Sequence, residues 1–220
     1  MKPKYPFTHA FEALPAELPL YPLENALLPG GELPLELSAQ ADLALFFHAL
    51  KTDQMIGMIQ PQANNPEGDI YSVGCAGRIR QYRERKDGRL NVMLTGVCRY
   101  KVIEELPVRD GFRIARVDWS DYPQDYATED VDAQKVDHFK STLRNYFDKH
   151  NMQVDWNVLD KLPIEEVVNN LVLVMSLDID SKQQLLESLT VADRLALFVE
   201  ILEKVPNPFI VSSSGSRREN

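Results

Sequence analysis

Hydrophobic and polar positions alternate every second residue through much of the first half of the chain, and recur every three to four residues beyond Asp121. In residues 18–23 and 33–37, leucine or tyrosine alternates with proline or glutamate, which predicts two short strands, each with one apolar face. Pro22 and Pro34 lack the amide hydrogen that a ladder needs, so each is expected at a strand start, a bulge or an edge. Between the runs, Pro29-Gly30-Gly31 predicts a sharp reversal with positive φ at both glycines. Strands this irregular suit a small closed barrel. Residues 1 to about 13 read as a lead-in whose aromatic pair, Phe7 and Phe11, is available to pack back on the domain.

From Ser38, the recurrence of Ala41, Leu45, Phe47 or His48, and Leu50 predicts a helix with one apolar stripe. Residues 55–59 read as a buried strand. Residues 60–69, where proline, asparagine and glycine cluster without a period, read as a loop. Two long strands follow, residues 71–85 and from Arg89 onward, joined through Lys86-Asp87-Gly88 in a hairpin; Ile79, Tyr82, Leu90, Val92 and Leu94 form its apolar alternation. Gly74, Gly77 and Gly96 inside these strands mark bulges or close backbone approaches. A hairpin centred on Asp87 and Gly88 sets Cys75 opposite Tyr100 and Cys98 opposite Gly77, diagonal neighbours out of the directly opposed register that suits a disulfide. A further strand, residues 112–119, follows the turn at Arg109-Asp110-Gly111.

Residues 122–130 form an acidic linker, and the helical period then takes over. Val136, Phe139, Leu143, Tyr146 and Phe147 stripe one helix. Ile164, Val167, Val168, Leu171, Val172 and Met175 stripe a second, with Pro163 in its first turn, Glu165 and Glu166 at its positive end, and Asp178-Ile179-Asp180 closing it. Capping-box spacing at Ser181 with Gln184, and at Thr190 with Asp193, opens two more. Leu185, Leu186 and Leu189 are expected inward on the first of these, and Leu195, Phe198, Val199, Leu202 and Val205 on the second, which Pro206 and Pro208 stop.

The 220 residues suffice for one large or two small cores, and the apolar and charged fractions, 44% and 26%, are ordinary for a globular chain. A net charge of −9 disfavours a non-specific grip on nucleic acid, which depends on cations replacing phosphate counterions. No apolar run reaches bilayer length and the first residues lack a signal-peptide core, so a cytoplasmic chain without membrane contact is expected. Cys75 and Cys98 are too few for a disulfide framework and are read as reduced, buried thiols. His9, His48, His138 and His150 have no metal-ligand spacing, so no metal is expected, and no phosphate-cradling Gly-x-x-x-x-Gly-Lys-Ser/Thr loop occurs, so no nucleotide cofactor either. Carboxylates at Glu104-Glu105, Glu165-Glu166 and Asp178/Asp180 are read as turn and capping residues, and no catalytic dyad is assigned.

Pro22-Leu23, Pro29-Gly30, Pro34-Leu35, Gly74-Cys75, Asp87-Gly88-Arg89 and Gly96 through Arg99-Tyr100, in this order and at these intervals, resemble the amino-terminal domain of the Lon protease family, as do the later Lys182-Gln183-Gln184-Leu185-Leu186-Glu187 and Asp193-Arg194-Leu195. On composition, the serine-rich and charged residues 206–220 read as a disordered tail. The resemblance implies an α+β fold, a PUA-like β pseudo-barrel with one helix over residues 14–120 and an α-helical bundle over residues 128–205. It implies a role in recognising unfolded or partner polypeptides and in assembling an oligomer, while separate ATPase and peptidase domains do the chemistry; the first is not expected here for want of its phosphate-cradling loop, nor the second for want of room. The chain departs from the family at Glu36-Leu37-Ser38-Ala39-Gln40, where most relatives carry Phe-Glu-x-Arg-Tyr.

Two functions follow. The first is a non-enzymatic polypeptide-binding module, working with a protease partner or a second copy of itself, in which the motif residues Pro22, Leu23, Pro29, Gly30, Pro34, Gly74, Cys75, Asp87, Gly88, Arg89, Gly96 and Arg99 are structural. The second is an RNA- or small-ligand-binding barrel that uses Arg78, Arg80, Tyr82 and Arg83 of the one basic cluster, arginine meeting phosphate and tyrosine stacking on a base. The acidic total favours reading that cluster as a solvated face guarding a strand edge.

Overall fold

A computed structural model describes residues 8–65 and 68–204. The alternating first half forms six strands, β1 Glu17–Pro22, β2 Glu32–Leu37, β3 Met55–Pro61, β4 Ile70–Glu84, β5 Leu90–Arg109 and β6 Phe112–Asp118, with helix α1 Gln40–Lys51 between β2 and β3. The pairing β5–β4–β3–β1–β6 returns to β5, so five strands close a barrel, with β1 and β3 parallel and the other pairs antiparallel. Strand β5 makes the closure possible by its length. Its second half, Lys101 to Arg109, pairs with β6, while its first half, Leu90 to Thr95, pairs with β2, which lies outside the ring.

The proline-rich runs flank a turn but do not pair with each other; β1 lies between β3 and β6, and β2 lies on β5 alone among the described residues. Pro22 ends β1, and Pro34 sits in the outer strand β2, both positions that tolerate a missing donor. Positive φ is found at Gly30 (77°) but not at Gly31, whose backbone instead passes close to the Leu28 carbonyl. Gln60 and Pro61 belong to β3, not to the loop, and Glu104 and Glu105 lie within β5, not in a turn, Glu104 meeting Arg116 across the ladder at 2.9 Å. Bulges between Ala76 and Gly77 and between Ile79 and Gln81 shift the hairpin register, so Cys75 faces Arg99 and Cys98 faces Ala76. The thiols are free and buried.

On α1 Leu45 is buried as expected, but its buried companions are Phe46 and Ala49, while Phe47 is 46% exposed and Ala41, His48 and Leu50 are half-buried. His48 is partly covered by Phe112, 5.4 Å between rings. The second half forms α2 Ala133–Lys149, the short α3 Trp156–Leu159 that the sequence pattern did not predict, α4 Ile164–Val174, α5 Ile179–Glu187 and α6 Val191–Lys204. Phe139, Leu143, Tyr146 and Phe147 of α2 are buried, and Phe139 meets Phe198 of α6 edge to face. Pro163 stands at the cap position before α4, not inside its first turn. Asp178 opens α5 and does not close α4: its carboxylate accepts the Ser181 amide at 2.8 Å, which displaces Ser181 from the cap role. Thr190 does cap α6, its hydroxyl accepting from the Asp193 amide at 3.0 Å. Leu189 is 54% exposed, because the connection between α5 and α6 turns it outward. Phe7, Val205, Pro206, Pro208 and the tail at 206–220 lie outside the described residues.

Candidate functional site

Because β2 pairs only with the first half of β5, strands β2, β5 and β4 extend beyond the barrel as a three-stranded sheet with two unlike faces. Leu33, Leu35, Leu37, Leu90, Val92 and Leu94 point to one face and are buried, with Phe46 of α1 packed edge-on against Tyr82 there at 5.1 Å. The rows Pro34–Met93–Gln81 and Glu36–Asn91–Arg83 carry the other. These residues line an open cleft of about 680 Å³. Tyr82 (48% exposed) and Phe47 flank the buried Phe46, so aromatic surface continues round the hairpin from the cleft.

The hairpin closes on Gly88 (φ 83°), with the Gly88 amide donating to Arg85 at 3.1 Å. Asp87 accepts from the Arg89 guanidinium at 2.6 Å, and that hydrogen bond holds its carboxyl below the usual range. Arg89 also reaches Glu36 at 2.5 Å and Arg85 reaches it at 3.1 Å, while Arg80 pairs with Glu32. Arg80, Arg85 and Arg89 of the basic cluster are thus neutralised by β2 and the turn. Tyr82 and Arg83 face opposite sides of the sheet.

A second polar assembly joins the barrel to the helices. Arg99, 1% exposed, pairs with Asp125 of the 3-10 turn Pro123–Tyr126 at 2.7 Å and donates to the carbonyls of Leu186 (3.0 Å), Ser188 (2.5 Å) and Leu189 (3.1 Å) at the end of α5. Burial opposes the Arg99 charge, but Asp125 outweighs it and its pKa stands above the ordinary value. Arg194 of α6 donates to Leu185 (3.0 Å), Ser188 (3.1 Å) and Asn169 (2.9 Å), and Asn169 in turn donates to the Pro29 carbonyl at 2.8 Å. Lys182 of α5 donates to Asn25 at 2.6 Å. Gln183 donates to Val73 at 3.1 Å and Gln60 to Ile179 at 3.2 Å, so α5 is fastened along β3 and β4.

The loop at residues 23–31 joins this assembly to the sheet. Leu27 and Leu28 are buried over Gly77 and Gly96, and a Cβ at Gly96 would overlap the Leu28 carbonyl, so glycine is required for the loop to lie across the sheet. Gly74 leaves room for the Tyr100 ring, whose Oη would stand 2.5 Å from a Cβ there.

A family profile described as the ATP-dependent protease La (LON) substrate-binding domain matches residues 17–204. The chain belongs to this Lon substrate-binding domain family. Among curated Lon relatives, it is 26% identical over 216 residues to the Lon protease of Anaeromyxobacter dehalogenans and 26% identical over 210 residues to Lon protease 2 of Myxococcus xanthus, covering 88% of this chain in each case. The chain spans about a quarter of their length, 24% of each. Its α+β fold is that of a Lon N-terminal domain protein from Xanthomonas campestris (TM-score 0.63, 20% identity, 86% of this chain and 99% of that one). It is also that of the N-terminal domain of Mycobacterium avium complex Lon protease (TM-score 0.64, 16% identity, 86% and 98%).

The family motif thus falls into two groups. Pro29, Gly96 and Arg99, with Lys182, Gln183 and Arg194, meet at the junction, and Gly74 and Cys75 lie beneath it in β4; Pro34, Asp87, Gly88 and Arg89 belong to the three-stranded extension. Pro22 ends β1, the amide of the following Leu23 donates to Ile59 at 2.9 Å, and Gly30 makes the turn. Sequence reasoning missed Asp125, which it placed in a linker, and the cleft residues Met93, Gln81 and Asn91, which it treated as ordinary strand positions. The alternation of Asn91, Met93 and Thr95 against buried Leu90, Val92 and Leu94 was the available signal. Among the described residues no group of histidine, cysteine, aspartate and glutamate could hold a metal, and no helix is long and apolar enough to cross a membrane.

Proposed function

We propose that this chain is a non-catalytic polypeptide-recognition module that takes extended, unfolded segments on the open face of β2, β5 and β4. The observation that carries this reading is the cleft itself: a strand-built surface of about 680 Å³, floored by Pro34 and Met93 and left uncovered although its opposite face is packed. An extended segment laid across such a face turns every second side chain down onto it, in step with the two-residue spacing of the residues that line it. The family's substrate-binding description and the names of its protease relatives support the same role, and extend it to delivery of captured segments to an ATP-dependent protease or to assembly with a second copy. The reading places the chain in the cytoplasm, where Cys75 and Cys98 stay reduced.

Calorimetric titration with a reduced, unfolded protein and with its folded form tests this. Binding of the unfolded form only is expected, weakened at least about tenfold by Met93→Glu, which sets a charge where an apolar contact is made. Equal binding of both forms, or indifference to Met93→Glu, overturns it.

A further inference from the structure

Between Arg78 and Arg89 the hairpin carries six cations, against four carboxylates at Glu32, Glu36, Glu84 and Asp87, on a chain whose total is −9. Neutralisation is uneven. Glu36, the acid in the cleft, is already held by Arg85 and Arg89, and Glu32 by Arg80. Arg83 lines the same cleft and has no ion pair among the described residues, so the cleft presents one guanidinium with its charge unspent.

Along β5 the cleft-facing side chains come in two steps, Met93 between Pro34 and Gln81, then Asn91 between Glu36 and Arg83. The steps are two residues, about 6.8 Å, apart, which is also the spacing of side chains i and i+2 in an extended segment laid along the strand. Building on the polypeptide-binding reading, we propose that the cleft selects extended segments of the form apolar-x-acidic. The apolar side chain rests on Pro34 and Met93, and the carboxylate two residues away accepts from the Arg83 guanidinium and the Asn91 amide. A nucleic acid fits less well. No base stacks on Tyr82 while its own phosphate sits at Arg83, because the two side chains lie on opposite faces.

Fluorescence anisotropy with three labelled extended peptides that differ only in one repeated unit, Leu-Ser-Asp, Leu-Ser-Asn or Leu-Ser-Lys, tests the selection. The aspartate peptide is expected to bind about threefold or more tighter than the asparagine one, the scale of a single exposed ion pair, and added salt narrows the gap. Arg83→Gln removes the difference, and Arg83→Glu reverses it in favour of lysine; both substitutions are at an exposed strand position, and circular dichroism verifies that they fold. Equal affinity for aspartate and asparagine peptides, or discrimination unchanged in Arg83→Gln, overturns the proposal. So does single-stranded RNA that binds tighter than the aspartate peptide and displaces it. If none of the three peptides binds, the recognition role of the cleft falls as well, whereas binding without charge preference leaves that role standing and sinks only the selection.

Discussion

Arg99 shows how much one side chain is asked to do where the barrel meets the helices. Its guanidinium is enclosed, paired with the Asp125 carboxylate and donating to three carbonyls at and just beyond the end of α5. A second enclosed guanidinium, Arg194, has its pKa pushed down to about 10 by burial and then by the nearby Arg99 charge, and it is still charged at neutral pH. Removing Asp125 therefore takes from Arg99 its ion-pair partner and from Arg194 one of the carboxylates that support its charge. Asp125→Asn is expected to cost about 3–5 kcal/mol in urea unfolding, and Arg99→Met a comparable amount because Asp125 is then stranded. The double replacement should cost less than the sum of the singles, and strictly additive losses would show that the two do not act as a pair. Arg99 stood out within a motif, but Asp125 did not, since a partner 26 residues away in an acidic stretch leaves no local trace.

Among the elements, α5 was located from the Ser181 and Gln184 spacing and from the inward leucines that follow, but its polar face decides what it holds. Periodicity reads apolar stripes, so it found the core faces of α2, α4 and α6; it was silent on Lys182 and Gln183, which are buried through polar contacts made to other elements. Lys182 is 5% exposed, and burial pushes its pKa down to about 8 from 10.5. No carboxylate pairs with it among the described residues; Glu24 in the facing loop is exposed, Asp178 caps α5, Asp180 accepts from Tyr71, and Glu187 accepts from Gln183. Between pH 8 and 10.5 the unfolded chain holds more protons on this amine than the folded one, so its contribution to stability rises with pH. Cys75 and Cys98 act in the opposite sense, because burial raises both thiols and the unfolded chain loses their protons first above pH 9. The Lys182 effect is therefore read as a difference. Unfolding free energies of the unaltered chain minus those of Lys182→Met should climb from pH 7.5 to 10, by about 2 kcal/mol. A flat difference would show that the amine is hydrated in the folded state.

At the scale of the whole molecule, the change of period near Asp121 suggests two parts, whereas the bonds across the junction favour one. The loop at residues 23–31 fills the glycine-floored notch of the barrel with Leu27 and Leu28 while its Asn25 and Pro29 are bonded to α4, α5 and Asn169. Stripping away the helices would leave those groups, and Arg99, enclosed or exposed without partners, which penalises a half-folded chain by several kcal/mol. The two tryptophans allow a direct measurement, since one lies in each part. Trp119 follows β6 and donates to the Pro15 carbonyl at 2.9 Å; Trp156 opens α3 beneath the Arg144 guanidinium, 4.9 Å from its ring. Trp156→Phe and Trp119→Phe give chains that report on the barrel and the helices separately. Urea transitions followed by fluorescence should coincide in midpoint and slope with each other and with far-ultraviolet circular dichroism, the mark of one cooperative unit. A barrel signal that persists after the helical signal has melted would instead mean that residues 14–120 fold alone, and that the junction is a docking contact which binding of a polypeptide is free to open.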